Sequence, residues 1–327
     1  MDANLTMSTL EACPRCNEQV LEACKFCENC GCRLEAELGI PLSPTVACRC
    51  GAGVDRRDSE GYCEVCGRRF DTGNPRDHLE EVLSPELACV TDKGCRHKKN
   101  EDAFALGIAG NKIIIVVCDG VSSASHSDEA SQRAADTARG VLQAAAQPEI
   151  DSISLMKSAL GQAHLAVCQV QRTGDGKLDP PGTTFVAAMV ENRTVTLGWA
   201  GDSRAYWFDN EQSQALTQDH SWLNDIVSSG KMSLEEALAQ PLAHAITQCL
   251  GPLNEEQPEG SYRQFQIPGP GRLLLCSDGL WGYTNLIEEL VERIPEAPPI
   301  EVARSLTDFA LSQGGRDNIT VAVLQVK

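Results

Sequence analysis

Four short acidic turns, each joined to a run of apolar residues, constrain this chain more than any other feature. They read Val116-Val117-Cys118-Asp119-Gly120, Ala200-Gly201-Asp202-Ser203-Arg204, Leu275-Cys276-Ser277-Asp278-Gly279 and Gly315-Arg316-Asp317-Asn318. In the first and third an apolar run ends in Asp-Gly, and the fourth precedes the apolar run 319–326. Runs of this length, rich in Val, Ile and Leu, read as buried strands. An Asp at the mouth of such a strand can aim a carboxylate out of the sheet, and a neighbouring Gly lets backbone approach a ligand. A single Asp-Gly after a strand is ordinarily only a turn. Four of them meeting at one edge would make an oxygen-rich site of the kind that Mg²⁺ and Mn²⁺ prefer.

Length and charge narrow the possibilities. The 327 residues suggest two or three domains. Apolar content of 42% supports a sizeable core, and only 5% aromatics means that this core rests on Ala, Val, Leu and Ile. A formal net charge of −18 argues against nucleic acid or an anionic membrane as partner. The sequence has no apolar run of about eighteen residues that would mark a transmembrane helix. Residues 1–10 lack the basic start and apolar stretch of a signal peptide. The expected location is the cytoplasm.

Of the 16 cysteines, ten fall between Cys13 and Cys66, a clustering that in a reducing compartment points to metal rather than to disulfides. A first module is Cys13-Pro-Arg-Cys16, ten residues, then Cys27-Glu-Asn-Cys30-Gly31. A second is Cys48-Arg-Cys50, twelve residues, then Cys63-Glu-Val-Cys66-Gly67. Each supplies four thiolates on tight knuckles, the donor set of a closed structural zinc site. Segments this short cannot bury enough apolar surface to fold alone, so the metal would supply the folding energy. The pair resembles tandem zinc ribbons. The shorter first knuckle of the second module departs from the usual spacing, and Cys24 and Cys32 are left over as competing ligands.

Beyond the cysteines, a polar stretch reads as a connector. The expected organisation is one ribbon over 1–39, a second over 40–72, a linker over 73–86 and a catalytic domain over 87–327. Strands are expected at 103–108, 113–118, 184–190, 195–200, 203–208, 261–267, 272–276 and 319–326. Helices are expected at 129–146, 154–171 and 300–312, the last stopping at Gly314. Ser233 and Glu236 form a capping-box pattern at the start of another helix. Strands outnumber crossover helices and are often joined by short turns. That favours an α+β fold of antiparallel sheets with helices packed outside.

From about residue 86 to the end the chain resembles the metal-dependent protein phosphatase family, also called protein phosphatase 2C. The motifs that carry the resemblance occur in that family's order: Asn100-Glu101-Asp102, Val117-Cys118-Asp119-Gly120, Gly182-Thr183-Thr184, Gly201-Asp202-Ser203-Arg204-Ala205-Tyr206, Leu216-Thr217-Gln218-Asp219-His220-Ser221, Ile246-Thr247-Gln248-Cys249-Leu250-Gly251, Leu275-Cys276-Ser277-Asp278-Gly279-Leu280-Trp281 and Gly314-Gly315-Arg316-Asp317-Asn318. The resemblance implies a four-layer α-β-β-α sandwich with metals in a channel at one edge. It implies that Asp119 bridges two Mn²⁺ or Mg²⁺ ions and that the Gly120 carbonyl joins it. Asp278 and Asp317 complete one ion's shell, Glu101 supports the other, and Asp202 with Asp278 corresponds to a third, weaker position. The implied reaction is hydrolysis of phosphoserine and phosphothreonine by a hydroxide held between the metals, with no covalent phosphoenzyme.

Three departures bear on the site, one of them Gln248 where many bacterial members carry Arg. The family's phosphate-binding Arg lies four residues before the motif Glu, where this chain has His97 with Arg96 beside it. Either can reach a phosphate, and Arg96 is favoured because a histidine would be a weaker, pH-dependent anchor. Val121 follows the Asp-Gly turn where some members carry a histidine. The expected partners are phosphorylated proteins, with the zinc ribbons docking a further protein. Nucleic acid is disfavoured by the acidic excess over residues 1–80. The rival from another class is a catalytically weak phosphoprotein-binding regulator, motivated by the displaced phosphate Arg.

Overall fold

The structure, a computed structural model of the chain, describes residues 48, 51–58, 61–65, 67, 70, 74–144, 151–170, 179–209, 213–252, 257–284 and 286–327. The chain separates into two compact units, Met1–Thr45 and Val46–Lys327. The first unit, and with it Cys13, Cys16, Cys27 and Cys30, lies outside the described residues, as do Cys50 and Cys66.

The strand β4 (Lys112–Cys118) shows how sequence builds the sandwich. Its interior is Ile-Ile-Ile-Val-Val, and β-branched side chains restricted at χ1 favour extended backbone. Ile114, Val116 and Cys118 point to one face, under helices α1 (Ser127–Ala144) and α2 (Ser152–Cys168). Ile115 and Val117 point to the other face, into the layer between the two sheets. An apolar run without alternation is therefore explained by burial on both faces.

β4 belongs to a five-stranded antiparallel sheet, order β3-β4-β5-β6-β9, with β3 Ala103–Ala109, β5 Phe185–Glu191, β6 Thr194–Ala200 and β9 Ser261–Gln266. Facing it is a six-stranded sheet, order β1-β2-β11-β10-β7-β8. Its strands are β1 His78–Ser84, β2 Leu87–Asp92, β7 Arg204–Phe208, β8 Ser213–Ala215, β10 Gly271–Cys276 and β11 Ile319–Val326. Helix α7 (Pro299–Ser312) covers its outer face with Val302, Leu306 and Ala310. Between the sheets, Trp207, Leu197, Leu273 and Leu324 are buried. The expected α-β-β-α layering is thus present. Ala130, Ala134, Ala135 and Ala138 form the buried side of α1, and side chains this small let the helix approach the sheet closely.

One sequence expectation changes. The stretch 73–86 is not only a connector: residues 78–84 form β1, paired antiparallel with β2 from His78–Asp92 to Ser84–Leu87. Its signal was hidden because β1 is an edge strand with Leu79 and Val82 exposed, so it lacks a continuous apolar run. Glu80 of β1 is gripped by Arg304 of α7 at 2.6 Å. Further along, α3 (Trp222–Ser228) and α4 (Leu234–Leu238) pack against each other. The capping box of α4 is formed as expected: the Glu236 amide donates to Ser233 Oγ, and Ser233 N donates to the Glu236 carboxylate at 2.9 Å. Among the described residues no helix is long and apolar enough to cross a membrane.

All four acidic turns lie at the same end of the sandwich. The chain leaves β4 at Cys118, β6 at Ala200 and β10 at Cys276, and enters β11 at Ile319. Registers place Cys118 opposite Ala103 and Phe185 opposite Ala200 in one sheet, and Cys276 opposite Val321 and Ile319 opposite Asp92 in the other.

Candidate active site

Backbone contacts at this end are dense. The Asp119 carbonyl accepts from the Thr184 amide at 2.7 Å and from Thr183 Oγ1 at 2.8 Å, and the Asp119 amide donates to Thr184 Oγ1 at 3.0 Å. Gly120 donates its amide to the Glu101 carbonyl at 3.2 Å. A Cβ at residue 120 would stand 2.6 Å from the Ser127 carbonyl oxygen and 2.7 Å from that of Glu101, so this turn requires glycine. Asp278 opens the short helix α5 (Asp278–Trp281). A Cβ on the following Gly279 would collide with the Asn318 carbonyl, which brings the third and fourth turns into contact.

Into this frame project Asp119, Asp202, Asp278 and Asp317, all partly exposed, with Glu101 and Asp102 buried behind them. Burial raises the pKa of Asp119 well above the ordinary carboxylate range, and the charges of Asp102, Asp278, Asp317 and Asp202 push it further. Burial also raises Asp278 to about 7, with Asp317 and Asp102 adding to it. Asp202 rises to about 7 from burial and the neighbouring charge of Asp278. These mutual effects place the four turns in one electrostatic cluster. Asp102 rises to about 7 through burial, although Thr320 and Ser277 each donate a hydroxyl to its Oδ2 at 2.7 Å.

The neighbouring cations lie to one side. His97 Nε2 is 3.2 Å from Asp317 Oδ1, and its Nδ1 is 3.8 Å from Glu101 Oε2. The Glu101 carboxylate raises the His97 pKa despite partial burial. Burial opposes ionisation of Glu101 too, but hydrogen bonds from His97 and Ser127 and the charge of Lys99 outweigh it, so Glu101 is lowered.

Among the described residues no three His, Cys, Asp or Glu side chains are already arranged to hold an ion. The donor chemistry nonetheless fits a hard divalent cation. Every candidate donor is oxygen. Asp278 Oδ1 and Asp102 Oδ1 are buried without a hydrogen-bond partner. Like charges crowd this end of the sandwich, and a divalent ion there would offset them.

Placement of the sequence-named residues is mixed. Asp119, Gly120, Asp202, Asp278, Asp317 and Glu101 come together. Arg96 is exposed, and the neighbouring side chain that reaches Glu101 and Asp317 is His97. In the loop 93–102 the backbone beside Cys95, itself tied to the Gly315 carbonyl, turns residue 97 inward and residue 96 out. Asp202 is not the partner of Arg204. Asp219 takes that guanidinium at 2.6 and 2.8 Å, and the Arg204 guanidinium carbon lies 3.6 Å from the Trp281 ring centroid. Asp102 was legible only as part of Asn100-Glu101-Asp102, and nothing in the sequence marked it as buried next to Asp119. His220 is structural: it accepts from the Gly201 amide, pairs with Ser261 Oγ at 2.9 Å and stacks on Trp199. His244 is exposed.

Comparison with known proteins agrees with this geometry. The family model Protein phosphatase 2C matches residues 95–309. Protein phosphatase PhpP of Streptococcus pneumoniae is 30% identical over 250 residues, covering 74% of this chain and 97% of that protein. The crystal structure of the serine/threonine phosphatase Stp1 from Staphylococcus aureus superposes with a TM-score of 0.65 at 26% identity, over 76% of this chain and 98% of that one. The catalytic domain of the phosphatase PstP in complex with two manganese ions superposes with a TM-score of 0.61 at 26% identity, over 76% of this chain and all of that one (100%). The chain belongs to the protein phosphatase 2C family. It is a phosphatase of the metal-dependent type, an enzyme that hydrolyses phosphate monoesters on proteins.

Proposed function

We propose that the chain hydrolyses phosphoserine and phosphothreonine on proteins, and that Asp119, Gly120, Glu101, Asp202, Asp278 and Asp317 hold its divalent cations, Mn²⁺ or Mg²⁺. The observation that carries this assignment is the single electrostatic cluster formed by Asp119 with Asp278, Asp317, Asp202 and Asp102. When bound there, the ions would lower the pKa of water to make a nucleophile near neutral pH and would offset charge on the phosphoryl group. The protein's own part is preorganisation. Thr183 and Thr184 fix the Asp119 backbone, Ser127 orients Glu101, and Ser277 and Thr320 orient Asp102. Asp102 stands buried behind the cluster, its pKa raised to about 7 by that burial. His97, against Glu101 and Asp317, is the nearer cation for the substrate phosphate, and exposed Arg96 is a second one at the mouth.

Two structural zinc ions are part of the same proposal, one held by Cys13, Cys16, Cys27 and Cys30 and one by Cys48, Cys50, Cys63 and Cys66. Support for the second comes from Cys48 and Cys63, which are buried together with Phe70 in one small cluster. The ribbons would dock a protein partner, and the proposed setting is the cytoplasm.

The test is hydrolysis of p-nitrophenyl phosphate and of phosphothreonine peptides with Mn²⁺, with EDTA, and with Asp119→Ala. Turnover that needs Mn²⁺ and disappears in the variant supports the phosphatase. A wild-type protein silent on both substrates while binding the phosphopeptide would establish the regulator instead.

A further inference from the structure

Lys93 is a wholly buried lysine, at 0% exposure, and a buried ammonium is tolerated only where acceptors meet it. Its Nζ donates to the Phe70 carbonyl at 2.9 Å and to Asp77 Oδ2 at 3.2 Å. The Lys93 amide donates to the Asp77 carbonyl at 2.9 Å. Both partners precede the stretch matched by the family, which starts at residue 95. Phe70 belongs to the cysteine segment: its amide donates to the Gly61 carbonyl at 2.9 Å, and its ring is buried with Cys48 and Cys63. A second contact from that segment, Tyr62 Oη to the Arg96 carbonyl at 3.5 Å, reaches the same loop.

The other side of this loop faces the acidic cluster. The Lys93 carbonyl accepts from Asn318 Nδ2 at 2.8 Å, and Asn318 Oδ1 accepts from the Glu101 amide at 2.7 Å. Asn318 is the residue after Asp317. Gly94, at φ +73°, lies so close to the turn that a Cβ would stand 2.8 Å from the Gly315 carbonyl oxygen and collide with that of Asp317. The Cys95 amide donates to the Gly315 carbonyl at 2.7 Å. Loop 93–95 is thus clamped between the cysteine segment on one side and the turns carrying Glu101 and Asp317 on the other.

We infer that Lys93 is a positioning residue through which the N-terminal cysteine segment, by way of Phe70 and Asp77, sets the spacing of Glu101 and Asp317. The inference rests on the assignment of those two carboxylates to the metal site. It makes the second cysteine module a working part of the phosphatase site rather than an appendage.

The experiment uses the full-length chain, wild type and Lys93→Met, which keeps the stem and removes the charge. Mn²⁺ binding is measured by titration calorimetry, amide exchange over 94–102 and 314–318 by mass spectrometry, and turnover of p-nitrophenyl phosphate as a function of Mn²⁺. The expected result is Mn²⁺ binding weakened about 10–100-fold, the range for loss of a supporting partner behind a ligand. Exchange at the Glu101 amide should quicken, while kcat at saturating Mn²⁺ stays within about twofold, so the defect is one of affinity rather than chemistry. Asp77→Asn, which keeps the Phe70 contact, should shift both readouts in the same direction by less, and it decides the matter if Lys93→Met does not fold. A folded variant with wild-type Mn²⁺ affinity and unchanged exchange overturns the inference. A wild-type enzyme without Mn²⁺-dependent turnover would sink the phosphatase assignment, while the binding and exchange measurements still decide the role of Lys93.

Discussion

Removing the charge of Asp102 should stabilise the metal-free protein, and by an amount that depends on pH. Asp102 is buried, and its pKa is raised from 3.8 to about 7, first by burial and then by the like charge of Asp317. An Asp whose folded pKa lies above its unfolded value carries more protons folded than unfolded across that interval. Stability therefore falls as pH rises from about 4 to about 7 and levels off above. Each pKa unit corresponds to about 1.4 kcal/mol. Between pH 5 and pH 7.5 the wild-type protein in EDTA should lose roughly 2–3 kcal/mol that Asp102→Asn keeps. Asn is a fair isostere because its Oδ1 can still accept the hydroxyls of Ser277 and Thr320 that now reach Oδ2. The assay is urea unfolding followed by circular dichroism at several pH values with EDTA present, at constant ionic strength. With saturating Mn²⁺ the order should reverse, because the ion replaces the protons in the wild-type cluster and finds less charge in the variant. If the difference between the two proteins in EDTA does not grow over this pH range, Asp102 does not hold its proton for the reason given.

Other consequences are more local. His97→Ala should raise KM for a phosphopeptide by about tenfold, the order expected for one charge-assisted contact, whereas Arg96→Ala should change it by no more than about twofold; steady-state kinetics at saturating Mn²⁺ separates the two. Asp219→Ala leaves the half-buried Arg204 guanidinium without its two-point partner and should cost on the order of 2–4 kcal/mol in chemical denaturation. Ser233→Ala removes one half of the α4 capping box and should cost about 1 kcal/mol of local stability, read as faster amide exchange within Leu234–Leu238 with little change in global unfolding.

Much of the molecule could be read before any coordinates. The strands at 112–118, 271–276 and 319–326 announce themselves because they are buried on both faces, so nearly every residue is apolar. The α4 cap was legible because a capping box is a local hydrogen-bond arrangement that four residues specify. β1 was not legible, since an edge strand with no buried residue and a polar start looks like a connector. Charge alone favoured Arg96 over His97 in sequence, but which of two adjacent side chains turns inward depends on a loop held by Gly315 and Asn318, more than two hundred residues away.

By itself, then, the sequence determined the chemistry on offer: apolar runs that must be buried, acidic turns at their ends, glycines where backbone must pass closely, and cysteine pairs near the start. Those are consequences of local composition and period. Tertiary structure alone decided that the acids share one cluster, that Asp102 stands buried behind Asp119, that His97 rather than Arg96 meets the carboxylates, and that a buried Lys93 ties the cysteine segment to them. Each of these depends on which distant segments the two sheets bring side by side, and on the loss of water that follows, neither of which a residue's neighbours in sequence can encode.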